Sequence, residues 1–180
     1  MFGEFGFSDK LLGLSYDEGL PLDRLESNII CDDALFCVWP EFDVVIGNPP
    51  YQSKNKMQQE MDKDYIDHVR AHYPNVSGRA DYCVYWFRRT HDEMKPGQRA
   101  GLVGTNTIRQ NYSREGGLDY IVNNNGTITD AVSTQVWLGD AVVHVSIVNW
   151  VKGKTQGKKR LAFQRGDLID SPFEYYDLDQ

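Results

Sequence analysis

The sequence predicts an α/β protein built on a mostly parallel sheet, and three observations carry that prediction. Short apolar runs alternate with longer amphipathic stretches, the pattern of strands joined by crossover helices. One run, FDVVIG, ends at Gly47 and leads straight into Asn48-Pro49-Pro50-Tyr51. Two prolines fix φ and remove backbone donors, and Asn48, preceding a proline, is pushed into an extended conformation. A stiff turn at the carboxyl end of a strand stands where open α/β sheets bind ligands. The third observation concerns the residues before that turn. No G-x-G turn follows a strand before residue 42, and FGEFGF has the glycines without a strand in front of them.

Residues 1–26 are punctuated by glycine and weakly periodic, which predicts an irregular or frayed segment. SNIICDDAL predicts a short strand over 28–31 and an acidic turn after it. The Val- and Ile-rich run 42–46 predicts a buried strand. Residues 52–80 are polar, and KMQQEMDKDYIDHVRAHY within them predicts a helix ending near Pro74. In ADYCVYWFRRTHDEMKPGQ, the spacing of Tyr82, Tyr85, Trp86 and Met94 predicts an amphipathic helix stopped by Lys95-Pro96-Gly97. RAGLVGTN predicts another strand, REGGLDYIVNN a weak helix broken by its glycines, and GTITDAVS and AVVHVSIVNWVK two further strands. From Gly153 the basic GKTQGKKR predicts a flexible connector, and residues 161–180 read as the start of a region cut short.

The 180 residues fit one domain with a real core. A composition 41% hydrophobic and 25% charged is that of a globular chain. No apolar run approaches the roughly 18–20 residues of a membrane span, and the start lacks the features of a signal peptide. The expected setting is the cytoplasm, with no membrane partner. Cys31, Cys37 and Cys83 form no C-x-x-C pair, which predicts core residues and neither disulfide nor zinc. His68, His72, His91 and His144 show no ligand spacing with a third donor, so no metal is expected. A net charge of −7 argues against unaided nucleic-acid binding, although the local field on the binding face decides. Two basic features stand out. Lys152, Lys154, Lys158, Lys159 and Arg160 are either a phosphate contact near the target or a solvated linker. Arg109, just after a strand, faces DNA or is a plain surface arginine.

Asn-Pro-Pro-Tyr after an apolar strand resembles the catalytic motif of S-adenosylmethionine-dependent methyltransferases that act on an amino or amide nitrogen. The chemistry suits the motif. An exocyclic amine on adenine is a poor nucleophile because its lone pair is delocalised into the ring. Two fixed acceptors, the Asn48 side-chain oxygen and the Pro49 carbonyl, would bind its two N–H groups and favour a pyramidal nitrogen. Tyr51 would stack on a base flipped out of the double helix. NIICDDAL is similar to the acidic turn that contacts the donor's adenine, and the resemblance implies Asp33, with Asp32 beside it, and Asn48 as cofactor contacts. ADYCVYWFRRTHDEMKPGQRAGLVGTNTI resembles the helix–turn–strand of adenine-specific DNA methylases. TQVWLGDAVVHVSIVNWVKG is similar to their last strands, with Trp137 as the aromatic against the flipped base.

The resemblance covers residues 27–153 and is closest in flavour to single-chain type IIG and IIL restriction–modification enzymes. It implies an incomplete Rossmann-like class I methyltransferase fold, with the first strands and glycine-rich donor loop absent. The expected domains are an irregular segment 1–26, a partial catalytic domain 27–152, and a linker with the start of a following region over 153–180. The implied activity is methyl transfer from S-adenosylmethionine to N6 of adenine in double-stranded DNA, with Asn48, Pro49, Pro50 and Tyr51 catalytic. The remaining methylase, target-recognition and endonuclease regions would come from missing sequence or another chain. Two alternatives remain: methylation of a protein glutamine or of RNA, and a non-catalytic remnant or subunit of a split methylase.

Overall fold

The apolar runs assemble into a six-stranded sheet of order β1-β2-β4-β3-β5-β6. The strands are β1 (Val44–Gly47), β2 (Arg99–Thr105), β3 (Gly126–Trp137), β4 (Val143–Lys152), β5 (Lys159–Gln164) and β6 (Phe173–Leu178). The computed structural model describes residues 29–137 and 143–178, and the expectations for 1–26 and for Asn28 lie outside them. The chain divides into two compact units, Met1–Ala34 and Leu35–Gln180. In the first, Ile29, Ile30 and Cys31 form no strand and are exposed. That overturns the strand expected there and the core role expected of Cys31. An apolar run becomes a strand only where a ladder partner exists, and none is present among the described residues.

The sheet is mixed rather than mostly parallel. β1 pairs β2 and β3 pairs β5 in parallel, whereas β2–β4, β3–β4 and β5–β6 are antiparallel. Only residues 138–142 separate β3 from β4. Five residues are too few for a parallel crossover, so the chain must return as a hairpin. Beyond Gly153 the expected connector is only a short turn, with Gly153 and Gly157 at φ 125 and 136. β5 and β6 then extend the same sheet.

Between the strands, the long polar stretch forms two helices, α1 (Lys54–Glu60) and α2 (Lys63–His72). They are separated because Asp62 is extended and caps α2, its carboxylate accepting from the Tyr65 N–H at 3.0 Å. The amphipathic helix α3 (Val84–Glu93) is where the periodicity put it. After β2 come a 3-10 turn, Asn106–Arg109, and a continuous helical run here called α4. It is α-helical over Asn111–Arg114, π-helical over Glu115–Asp119 and α-helical again over Tyr120–Asn123. The glycines expected to break this run instead let it pack. A Cβ on Gly116 would lie 3.2 Å from Val84 Cγ1, and one on Gly117 3.2 Å from Ile108 Cδ1.

The core lies between α3, α4 and one face of the sheet. Ala100, Leu102 and Gly104 of β2 alternate inward. Phe87 of α3 stacks on Trp150 of β4, with centroids 5.7 Å apart and planes 18° apart. Gly104 permits this approach, since a Cβ there would meet the Phe87 ring at 3.2 Å. The opposite face is bare by comparison: Val44 and Ile46 of the edge strand β1 are 55% and 82% exposed. That overturns the buried strand expected over 42–46, because β1 is paired on one side only among the described residues.

Candidate active site

The Asn-Pro-Pro-Tyr turn leaves β1 at Gly47 and is pinned at its far side. The Gln52 carbonyl accepts from the Tyr82 N–H at 2.9 Å, and Ser53 caps α1, its hydroxyl accepting from the Lys56 N–H at 3.5 Å. Pro49 is buried, Tyr51 half-buried, and Asn48 and Pro50 exposed. The Tyr51 hydroxyl donates to Asn48 Oδ1. Burial, and secondarily Cys83, pushes the Tyr51 pKa up to about 12, against the lowering effect of Asn48. The phenol is therefore a neutral donor near neutral pH. Burial likewise raises Cys83 to about 11, so that thiol is no nucleophile.

Behind the turn lies a polar cluster that sequence reasoning missed. Asp81 Oδ2 accepts from Thr105 Oγ1 at 2.7 Å and also from Thr107 Oγ1, and the two threonine hydroxyls are 2.8 Å apart. The Asp81 N–H donates to Ser113 Oγ at 3.0 Å. Asp81 and Tyr82 thus tie the Asn-Pro-Pro-Tyr turn to the loop after β2. Thr105 and Thr107 follow an apolar strand, as Asn48 does, and that placement was the available signal. Asp81 had none, because its role exists only once α3 docks.

The sheet brings Trp137 to the same rim as Asn48, because β3 runs parallel to β2 through their shared neighbour β4. It does not bring the two residues together. Three strand spacings separate them, about 14 Å. In the first unit, the Asp33 N–H donates to Asp32 Oδ1 at 2.7 Å, and Asp33 is half-buried with Asp32 exposed.

The basic run lies elsewhere. Lys152 is level with Gly126, and Val151 with Arg99 at the amino end of β2, about 13 Å along the strands from the level of Asn48. Arg160, level through Asp130 and Asn149 with Gly101, is four strands away across the sheet. Its charges are partly spent locally: Lys158 pairs with Asp177 at 2.8 Å and Arg160 with Asp130 at 2.7 Å. The linker reading is overturned for Lys159 and Arg160, which begin β5. A concavity of about 560 Å³ also sits at that end, between Val122, Ile128, Leu161 and Leu178. Its apolar walls carry Asn125, Thr127, Lys154, Lys159 and Arg160 as polar groups. His68 and His72 pack on Phe36, at ring separations of 4.4 and 5.4 Å. His144 is half-exposed, 3.5 Å from Asp167 Oδ1. No group of three His, Cys, Asp or Glu suited to a metal occurs among the described residues.

Comparison with known proteins gives this geometry a family. The type II methyltransferase M.XhoI of Xanthomonas vasicola is 29% identical over 122 residues, covering 66% of this chain and 21% of that one. Among solved structures, the type IIL restriction–modification enzyme MmeI in complex with DNA superposes with a TM-score of 0.62 at 18% identity, over 74% of this chain and 18% of its own. The type IIG restriction endonuclease BpuSI gives 0.54 at 13% identity, over 76% and 19%. A class I S-adenosylmethionine-dependent methyltransferase fold from Listeria monocytogenes gives 0.50 at 16%, over 72% and 39%. The fold is thus the expected Rossmann-like methyltransferase fold in part, and the chain spans about a fifth of the length of M.XhoI, MmeI and BpuSI. The sequence pattern described as "MmeI, DNA-methyltransferase domain" matches residues 8–164, and the chain belongs to that family.

Proposed function

We propose that this chain carries the methyl-acceptor half of a restriction–modification DNA methyltransferase that modifies N6 of adenine. The observation supporting this reading most directly is the turn itself: an exposed Asn48 carboxamide followed by the Pro49 carbonyl, held rigid between the end of β1 and the Tyr82 N–H. S-adenosylmethionine would supply an electrophilic methyl group on sulfonium sulfur. The chain's own residues act on the acceptor. Asn48 Oδ1 and the Pro49 carbonyl accept the two N–H groups of the target amine and aim its lone pair at the methyl group. As the N–CH3 bond forms, the S–CH3 bond breaks and one amine proton is released. The Tyr51 hydroxyl donates to Asn48 Oδ1, so an incoming amine would compete for that acceptor and free the ring to stack on the base. Trp137, further along the same rim, is the second proposed stacking residue. Asp33, with Asp32 beside it, is the proposed contact to the donor's adenine.

The test begins with calorimetric titration of the whole chain with S-adenosylmethionine, with Asp33→Ala as comparison, followed by transfer of radiolabelled methyl groups to DNA. Binding lost in Asp33→Ala and label on adenine N6 are expected. Asn48→Ala should cut transfer by roughly 100-fold or more, on the scale of removing one preorganised polar contact from a reacting centre. Label on another atom would sink the adenine assignment. The open edge of β1, with Val44 and Ile46 exposed, favours one second reading. In it, further polypeptide completes the donor site, and a folded chain alone binds no donor.

A further inference from the structure

The chain is acidic overall, with a net charge of −7, and any DNA surface on it must therefore be a local one. Most described arginines are already neutralised by carboxylates, as in Arg88–Asp92 at 3.0 Å, Arg114–Asp119 at 2.9 Å and Arg165–Glu174 at 2.6 Å. Two exposed arginines beside the catalytic turn are held differently. Arg79 Nη1 donates to the Tyr112 hydroxyl at 3.0 Å, with its guanidinium 5.4 Å from the centre of that ring. Arg109 Nε donates to Asn106 Oδ1 at 3.0 Å. Both partners are neutral, and neither arginine pairs with a described carboxylate. Each guanidinium is thereby oriented without losing its charge, and each keeps N–H donors for another acceptor.

Their position follows from the chain. Arg109 ends the 3-10 turn that leaves β2. Arg79 stands two residues before Asp81, which grips Thr105 and Thr107 at the same strand end. β2 is the direct neighbour of β1, so both cations flank the turn that carries Asn48. Paired guanidinium groups of this kind match phosphodiester oxygens. Such contacts set register and orientation and read no base.

We propose that Arg79, steadied by Tyr112, and Arg109, steadied by Asn106, form this chain's grip on the DNA backbone beside the target nucleotide. The inference rests on DNA being the substrate and moves the contact from the basic run at 152–160 to the segments beside the carboxyl end of β2.

Fluorescence anisotropy of a labelled random-sequence duplex, titrated with the full chain between about 50 and 200 mM NaCl, tests it without the methyl donor. Arg79→Gln/Arg109→Gln should bind more weakly and flatten the slope of log K against log salt by about 1.8, or about 0.9 per phosphate. Arg79→Lys/Arg109→Lys should keep most of the slope, and Lys154→Gln/Lys159→Gln should leave it unchanged. An unchanged slope in the glutamine pair, an equal loss in the lysine-to-glutamine control, or no binding by the folded wild type overturns the proposal. Circular dichroism confirms that each variant is folded. Methyl transfer to DNA with no slope change would remove this surface and leave the proposed reaction standing. A slope change without methyl transfer would do the reverse.

Discussion

His91 shows how far a residue's role departs from what its type suggests. A histidine on an amphipathic helix is open to many readings from sequence, but here it is fully buried. Its Nε2 is 2.9 Å from the Asn124 carbonyl, which makes Nε2 the donor, and Nδ1 is left buried without a partner. Burial lowers its pKa below the ordinary value, chiefly by desolvating the charged ring, against the raising effect of the Asn124 contact. Protonation therefore favours the unfolded chain. The stability that neutral His91 contributes is complete above about pH 6.5 and is lost as pH falls toward the lower folded value. The expected slope in that window is at most about 1.4 kcal/mol per pH unit. His91→Phe should melt lower at neutral pH and respond less to acidification there; equal slopes in urea-unfolding curves of the two proteins would refute this. At the same scale, the candidate turn was legible in sequence because Asn48, Pro49, Pro50 and Tyr51 are consecutive and chemically distinctive. Asp81 was not, because its hydroxyl partners are 24 and 26 residues away in sequence.

At the scale of elements, α3 and the strands β2 and β4 were legible because period and composition agree with their burial, whereas β1 was found by composition alone and is mostly exposed. The failures have separate physical causes. Sequence merges α1 and α2 into one helix because nothing in the hydrophobic spacing marks Met61; only the capping carboxylate of Asp62 does. It breaks α4 because glycine weakens an isolated helix, whereas this helix draws its stability from packing that only a missing Cβ allows. The π turn at Glu115–Asp119 widens the helix where both glycines face Val84 and Ile108. β5 and β6 escape notice because GKTQGKKR looks like a linker, although two positive-φ glycines suffice to turn the chain into β5. In β1 the element itself carries a prediction. Val44 and Ile46 are apolar, exposed and on a strand paired on one side only among the described residues. Such an edge invites association. The wild type should self-associate as concentration rises in sedimentation velocity, and Ile46→Lys should stay monomeric at small cost to stability, since that side chain is 82% exposed. Identical sedimentation of the two would remove the edge from consideration.

Across the whole molecule, the order β1-β2-β4-β3-β5-β6 sets β4 inside and β1 outermost. Trp150 of β4 is 1% exposed and Ile46 of β1 82%, so the Asn-Pro-Pro-Tyr turn hangs from an exposed outer strand of the sheet. That arrangement implies a gradient in time as well as in space. Backbone amides of β4 should exchange with deuterated water only through global unfolding, whereas those of β1 exchange through local opening. The Tyr82 amide, bonded to the Gln52 carbonyl across the gap, belongs to α3's end of the core but closes onto the loose strand. Its exchange rate is therefore a clock for how often the turn lifts away. Slow exchange matching β4 would mean a turn fixed before any ligand arrives. Exchange as fast as β1 would mean that the site is assembled anew each time something settles against the sheet's open side.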